Sequence, residues 1–158
     1  MTEAVVRLEV EVRAPAEVVF SMFTDARLLA QWIGIGAELE PEPGGRFRFE
    51  LLPGEFCSGS YLEVIPPRRV VFTWGWESGA IPVAPGSTTV EVDLEERAGI
   101  TVVRLAHRGL DASTRSLHEE GWVRYLDRLV AVAEGRGPGS DPAAGYEGAD
   151  PMSGRPRG

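Results

Sequence analysis

The feature that most constrains this chain is the stretch from residue 35 to residue 107, where short runs of alternating apolar and polar residues are separated by glycine and proline clusters. Alternation with a period of two is typical of strands that bury one face, and the clusters interrupt pairing between the runs. The pattern predicts an antiparallel meander. We expect its strands at approximately residues 36–40, 45–51, 57–65, 69–76, 87–96 and 100–107.

A strand and two short helices are predicted before the meander. Residues 5–12 alternate like the later runs and predict a first strand. Apolar residues at helical spacing then predict a helix over residues 15–23 and a second over residues 26–32. Asp25 precedes the second helix and has the side chain that an N-cap requires.

A long amphipathic helix is predicted after the meander, over residues 112–134, with Asp111 or Ser113 as its cap. The residues that follow are rich in Gly, Pro and small polar side chains and cannot bury enough apolar surface to order themselves. We therefore expect one α+β domain over residues 1–136 and a flexible tail over residues 137–158. Six or seven antiparallel strands should curve around the long helix, because that helix must cover the single apolar face of the sheet.

Charge and composition exclude several function classes. The net charge of -8 disfavours a nucleic-acid partner. No apolar run approaches the roughly 20 residues that span a bilayer, and the N-terminus lacks the features of a secretory signal, so we expect a cytoplasmic protein without a membrane span. One cysteine, Cys57, and two histidines, His107 and His118, do not make a recognisable metal site. Without a nucleotide or hydrolase motif, the sequence predicts no cofactor.

The predicted architecture favours an apolar cavity, because a curved sheet wrapped around one helix leaves concave space between the two layers. Large rings fall on single faces of the predicted strands and on the helices. On these residues alone, rings that fill an ordinary core are as good an interpretation as rings that line a cavity. The candidate cavity residues are Phe23, Trp32, Phe47, Phe49, Phe72, Trp74, Trp76, Trp122, Tyr125 and Leu126.

The strand around residue 61 can be interpreted in two ways. If Leu62 and Val64 face inward, strict alternation places Tyr61 and Glu63 in solvent. A bulge near Gly59 would instead turn a phenol and a carboxylate into the cavity. We favour the solvated arrangement, because an unpaired buried carboxylate is costly.

Two further polar side chains are candidates for the cavity. Arg104 shares the phase of Ile100 and Val102, and an inward guanidinium could anchor a ligand carboxylate. His107 ends a strand and could act as a general base if it reached a substrate. For both His107 and His118, a surface position or a satisfied structural hydrogen bond is the more common role.

Several segments resemble the SRPBCC superfamily, which includes START domains, the birch-pollen-allergen fold and polyketide cyclases. Within it they are most similar to the branch named for the activator of the heat-shock chaperone ATPase. The resemblance implies a helix-grip, START-like fold with a hydrophobic cavity. The segments that carry it are VEVRAPAEVVFSMFTDARLLAQWIG, GGRFRFE, GSYLEVIPPRRVVFTWGWE, TTVEVDLEERAGITVVRLAHRGL and the helix containing Gly121 and Trp122.

Three functions follow as hypotheses. The leading one is binding of a small hydrophobic molecule, lipid-like or polyketide-like, in the cavity between the sheet and the C-terminal helix. The second is a cyclase or aromatase that uses the same cavity, with Tyr61, Glu63, Arg104 or His107 moving protons. The third is a chaperone-interacting module. The sequence leaves a homodimer open without supporting it.

Overall fold

A computed structural model describes residues 5–139 of the chain, and in it seven strands form one antiparallel sheet that packs against three helices. The strands are β1 (Val6–Val12), β2 (Gly36–Leu39), β3 (Arg46–Leu52), β4 (Glu55–Ile65), β5 (Arg69–Trp74), β6 (Thr88–Arg97) and β7 (Ile100–Arg108). The helices are α1 (Ala16–Thr24), α2 (Ala26–Trp32) and α3 (Ala112–Ala133).

The sheet has the order β1-β7-β6-β5-β4-β3-β2, and its neighbours pair antiparallel. Strands β2 to β7 therefore follow one another as the predicted meander. Strand β1 joins the last strand, with Val6 opposite His107 and Val12 opposite Thr101. This pairing brings the first and last strands of the fold together at one side of the sheet. The α+β helix-grip prediction is confirmed.

Both predicted aspartate caps are present. The Asp25 Oδ1 atom accepts hydrogen bonds from the backbone N–H groups of Arg27 and Leu28, at 2.9 and 3.2 Å. The Asp111 Oδ1 atom accepts from the Thr114 backbone N–H at 2.9 Å, so Asp111 caps α3. The other candidate, Ser113, donates its hydroxyl hydrogen to that same Asp111 carboxylate. Each cap fixes where a helix begins.

One extra residue in β4 corrects the prediction for Tyr61. The register against β5 pairs Tyr61 with Phe72 and Glu63 with Val71, so Leu62 has no residue opposite it. Tyr61 is fully buried, whereas Leu62 is 47% exposed and Glu63 lies in solvent. The bulge resets the alternation at Leu62 rather than near Gly59. Glu63 is solvated as predicted, and the prediction that Tyr61 is solvated is wrong.

The core lies between the inner face of the sheet and the helices. The backbone of α3 comes closest to β1, α1 and α2. Over the middle of the sheet, large side chains from both layers span the space beneath α3. No described helix is long and apolar enough to cross a membrane. Most of the predicted tail, residues 137–158, lies outside the described residues.

Candidate ligand site beneath helix α3

Six aromatic rings meet between the sheet and α3 and are called here the aromatic layer. All ten predicted cavity residues are buried. Those on the sheet lie on its inner face, and Trp122 of α3 packs against them from the helix side. Phe47 and Phe72 stack with their centroids 4.0 Å apart, and the Trp74 and Trp122 rings lie 5.0 Å apart. The layer consists of Phe47, Phe49, Phe72, Trp74, Trp76 and Trp122.

A second ring cluster closes the layer at the end of α1. Phe23 packs edge-on against Trp32 at 5.1 Å, and the Trp32 indole donates from Nε1 to the Met22 carbonyl oxygen at 2.8 Å. The Tyr61 hydroxyl donates to the Phe23 carbonyl oxygen, also at 2.8 Å. Both acceptors lie in the last turn of α1, where carbonyl groups lack intrahelical partners. The buried Tyr61 phenol therefore holds α1 against the sheet, and the buried Trp32 indole holds α1 against α2.

The two histidines lie inside this layer, with ring centroids 5.2 Å apart. His107 Nε2 lies 2.8 Å from the Thr88 hydroxyl oxygen, and that hydroxyl donates its one hydrogen to the Trp74 carbonyl oxygen. His107 Nε2 must therefore carry a hydrogen and donate it to Thr88. The other ring nitrogen, Nδ1, accepts from the Trp122 indole at 3.0 Å.

His118 of α3 has the opposite tautomer. Its Nδ1 lies 2.8 Å from the Thr114 carbonyl oxygen, which can only accept, so this nitrogen carries the hydrogen. Its Nε2 accepts from the Trp76 indole at 3.1 Å. Each histidine thus receives one indole N–H and donates to one oxygen. The prediction of satisfied structural histidines describes both.

Burial determines the charge of this interior. Burial, aided by the neighbouring His118, lowers the pKa of His107 from its ordinary value of 6.5 to about 2, so this imidazole is neutral at physiological pH. Burial likewise raises the pKa of the Tyr61 phenol and that of the Cys57 thiol. The layer beneath α3 consequently consists of apolar rings and uncharged polar groups.

Two of the polar groups considered for the cavity, Arg104 and Glu63, lie on the outer face of the sheet. Arg104 is about half exposed, and its Nε donates to a Glu9 carboxylate oxygen at 3.0 Å. Glu63 is also exposed and accepts from Arg69 at 3.1 Å. The placement of Arg104 inside the cavity is wrong, because its neighbours Val103 and Leu105 occupy the inner phase of β7.

The polar partners of the tryptophans were missed by sequence reasoning. From the Trp122 indole, hydrogen bonds run through His107 and the Thr88 hydroxyl to the Trp74 carbonyl, and from the Trp76 indole they run through His118 to the Thr114 backbone carbonyl; both threonines are buried. A buried threonine on a strand or helix is common, so neither residue gives a signal in the sequence. The sequence shows His118 within a helical pattern beside two glutamates, but it does not indicate that His118 accepts a hydrogen bond from Trp76. Among the described residues, no group of three or more His, Cys, Asp or Glu side chains could hold a metal ion.

The sequence and the structure were compared with known protein families and solved structures. A family model described as Activator of Hsp90 ATPase homolog 1-like protein matches residues 13–134. The solution structure of the AHSA1-like protein from Rhizobium etli is 43% identical in sequence, with a TM-score of 0.70. That similarity covers 91% of this chain and 90% of the Rhizobium chain.

More distant relatives differ in length. DynU16, a protein from the dynemicin biosynthetic locus, is 26% identical with a TM-score of 0.74, covering 89% of this chain and 51% of that one. The human activator of 90 kDa heat shock protein ATPase homolog 1 is 24% identical over 124 residues. That match covers 77% of this chain and 34% of the human protein, so this chain spans about a third of the length of the curated relatives it matches.

Proposed function

The chain belongs to the family of Activator of Hsp90 ATPase homolog 1-like proteins, and on that premise we propose that it binds a small hydrophobic molecule beneath helix α3. In this proposal the aromatic layer is the binding surface. Residues 1–136 act as the ligand-binding domain, and the protein works in the cytoplasm.

The observation that supports this proposal is how the space beneath α3 is filled. The helix backbone is closest to β1, α1 and α2, while over the central strands rings from opposite layers meet one another. Trp74 and Trp122 are tilted by 44° with their centroids 5.0 Å apart, so a guest would enter between the layers by moving these rings apart, and an aromatic guest would offer ring contacts in return. A ligand would replace ring–ring contacts by ring–ligand contacts, so flat molecules are favoured.

Apolar burial would supply part of the binding energy. A ligand that buries roughly 300 Å² of apolar surface gains roughly 7 kcal/mol before the costs of association. An affinity of 1 μM requires about 8 kcal/mol net, so contacts beyond the burial of this area must supply the remainder and offset the costs of association.

Native mass spectrometry of protein purified from its own host tests this proposal. We expect a fraction of the protein to carry a small organic molecule that is released on denaturation. The Arg69→Ala variant is the control, because Arg69 pairs with Asp93 on the outer face of the sheet and should retain the same adduct. Apo protein alone, together with no binding of added flat aromatic compounds, would contradict the proposal.

A chaperone-interacting role is the second candidate, and the match to the human activator over 124 residues favours it. In that role the outer surface, rather than the aromatic layer, would contact the partner. The two candidates are distinguished by adding the protein to a purified Hsp90-type chaperone and measuring ATP hydrolysis. Stimulation that outer-face substitutions abolish, without any bound small molecule, would favour the chaperone role.

A cyclase-type reaction in the same space is a weaker candidate. The similarity to a protein from a biosynthetic locus favours it. A proton-transfer role for His107 would require breaking its hydrogen bonds to Thr88 and Trp122, and its low pKa makes it a poor base.

A further inference from the structure

The four tryptophan indoles of this protein differ in one respect. Three donate from Nε1 to acceptors inside the fold: Trp32 to the Met22 carbonyl, Trp76 to His118 and Trp122 to His107. The Nε1 of Trp74 is buried and has no acceptor among the described residues. Trp74 is therefore the exception in an interior whose other indole donors are all satisfied.

Trp74 occupies the centre of the aromatic layer. Its ring lies 5.0 Å from Trp122 on α3, 5.4 Å from Phe49 on β3, 5.5 Å from Trp76 and 5.6 Å from His107. It contacts rings from both layers of the fold, and its own exposed fraction is zero. A molecule that enters the layer would meet this indole directly.

The interior cannot readily supply an acceptor to Trp74. The acceptor nitrogens of His107 and His118 are engaged by Trp122 and Trp76. The Thr88 hydroxyl already receives a hydrogen from His107 and gives its own to the Trp74 carbonyl. A buried donor that lacks an acceptor destabilises the fold, and an acceptor brought by a ligand would remove that penalty.

We infer that the Nε1–H of Trp74 is the hydrogen-bond donor for an uncharged aromatic ligand that carries a carbonyl or similar acceptor oxygen. This inference rests on the proposed function and specifies the ligand class of the same site. The rings of the aromatic layer bind the flat apolar body of the ligand. The indole N–H then orients it and selects for an acceptor oxygen.

The charges of the interior favour a neutral ligand over an anion. His107 is uncharged, because burial lowers its pKa far below physiological pH. Arg128 is the one buried charged side chain among residues 5–139, and it donates to the carbonyl oxygens of Trp32 and Gly139 at 3.0 and 2.9 Å. A carboxylate beside Trp74 would therefore be buried without a free cation, which is strongly unfavourable.

A pair of probes of similar size, which differ in one acceptor oxygen, tests this inference on the full chain. Benzophenone has a carbonyl between two phenyl rings, and diphenylmethane has a methylene group in its place. We expect the wild-type protein to bind benzophenone roughly 3- to 10-fold more tightly, the range expected for one added hydrogen bond. In Trp74→Phe this ratio should fall to one or below, since the indole donor is gone and the buried carbonyl oxygen of benzophenone lacks a partner.

Trp32→Phe is the matched control, because it removes an indole N–H that already has an acceptor in the protein. Whatever this substitution does to the affinity for both probes, the ratio between them should stay at its wild-type value. An NMR measurement on the wild-type protein tests the same hydrogen bond without any substitution that could alter the fold. In ¹H–¹⁵N spectra, the Trp74 indole proton should move downfield with benzophenone and not with diphenylmethane.

The outcomes separate this inference from the proposed function. Equal affinity of the wild-type protein for both probes would overturn the role of Trp74 while leaving hydrophobic binding intact. Failure of both probes to bind would overturn both proposals. Binding of the anion 4-benzoylbenzoate more tightly than benzophenone would contradict the preference for an uncharged ligand.

Discussion

The two faces of the sheet are built from the same strands but differ completely in chemistry. On the inner face of β3, Phe47 and Phe49 are buried in the aromatic layer. On its outer face, the Arg48 guanidinium pairs with both carboxylate oxygens of Glu77, at 2.7 and 3.0 Å, and lies over the Phe56 ring. A single alternating strand thus supplies a neutral ring surface and a charged, solvated one.

The difference between the faces predicts which side chains contribute most to stability. Polar groups on the inner face are uncharged and mostly engaged in specific hydrogen bonds, so changing one disturbs several others. Outer-face ion pairs such as Arg69 with Asp93 are partly exposed to water and contribute little each. The outer face also forms an open cleft of about 640 Å³, but polar side chains that pair with one another line it. The proposed ligand site is the aromatic layer of the inner face.

Truncating the centre of the inner face should have the largest effect. Trp122→Ala removes a fully buried indole, its contact with Trp74 and the donor for His107. We expect a loss of about 3–5 kcal/mol in the free energy of unfolding, measured by urea denaturation. A loss below about 1 kcal/mol would mean that the rings beneath α3 do not form a packed layer.

Acidification should have the second-largest effect on the free energy of unfolding. His107 has a pKa of about 2 in the folded protein against an ordinary 6.5, so below pH 6.5 the unfolded chain takes up a proton that the folded protein does not. Stability contributed at neutral pH is therefore lost as the pH falls. Between pH 7.5 and pH 5 this should remove about 2 kcal/mol.

The His107→Gln variant isolates that effect, because it lacks the titrating imidazole while sharing every carboxylate with the wild type. Urea denaturation at each pH should show a shallower decline of unfolding free energy for the variant. Identical pH dependence of the two proteins would show that His107 takes up its proton equally in the folded and unfolded states.

Removing a single hydroxyl tests the link between β4 and α1. Tyr61→Phe keeps the buried ring but leaves the Phe23 carbonyl oxygen without its donor. We expect a loss of about 1 to 1.5 kcal/mol, seen as a lower thermal midpoint in calorimetry. An unchanged midpoint would indicate that another group or water replaces the hydroxyl.

Substitution on the outer face should have the smallest effect. Arg69→Ala removes ion pairs to Asp93 and Glu63, all partly exposed. We expect a loss below about 1 kcal/mol that shrinks further at high salt, because salt screens exposed charges. A loss as large as that of Trp122→Ala would remove the distinction between the two faces.

Most of the fold could be predicted from the sequence, because it follows from local patterns. Alternation located the strands, and the aspartate side chains Asp25 and Asp111 located the starts of two helices. Tyr61 was misplaced because one unpaired residue in β4 reverses the alternation, and nothing in the local composition signals that bulge. A pattern with a period of two cannot report where its own phase changes.

The candidate site was only partly predictable. The buried rings were identified, since large apolar residues on one strand phase must face the core. Their hydrogen bonds were not, because pairs such as Trp76 with His118 join residues 42 positions apart and depend on side-chain rotamers. The lack of an acceptor for the Trp74 Nε1 within residues 5–139 depends on where every neighbouring acceptor lies, which the sequence alone does not give.

The most direct test of this account is to locate a bound aromatic probe by NMR. In a complex with benzophenone, we predict intermolecular NOEs from the probe to ring protons of Phe47, Trp74 and Trp122. The side-chain Nε–H signals of Arg48 and Arg69 on the outer face should stay unchanged. NOEs confined to outer-face residues, with the indole signals unmoved, would contradict the assignment of ligand binding to the space beneath α3.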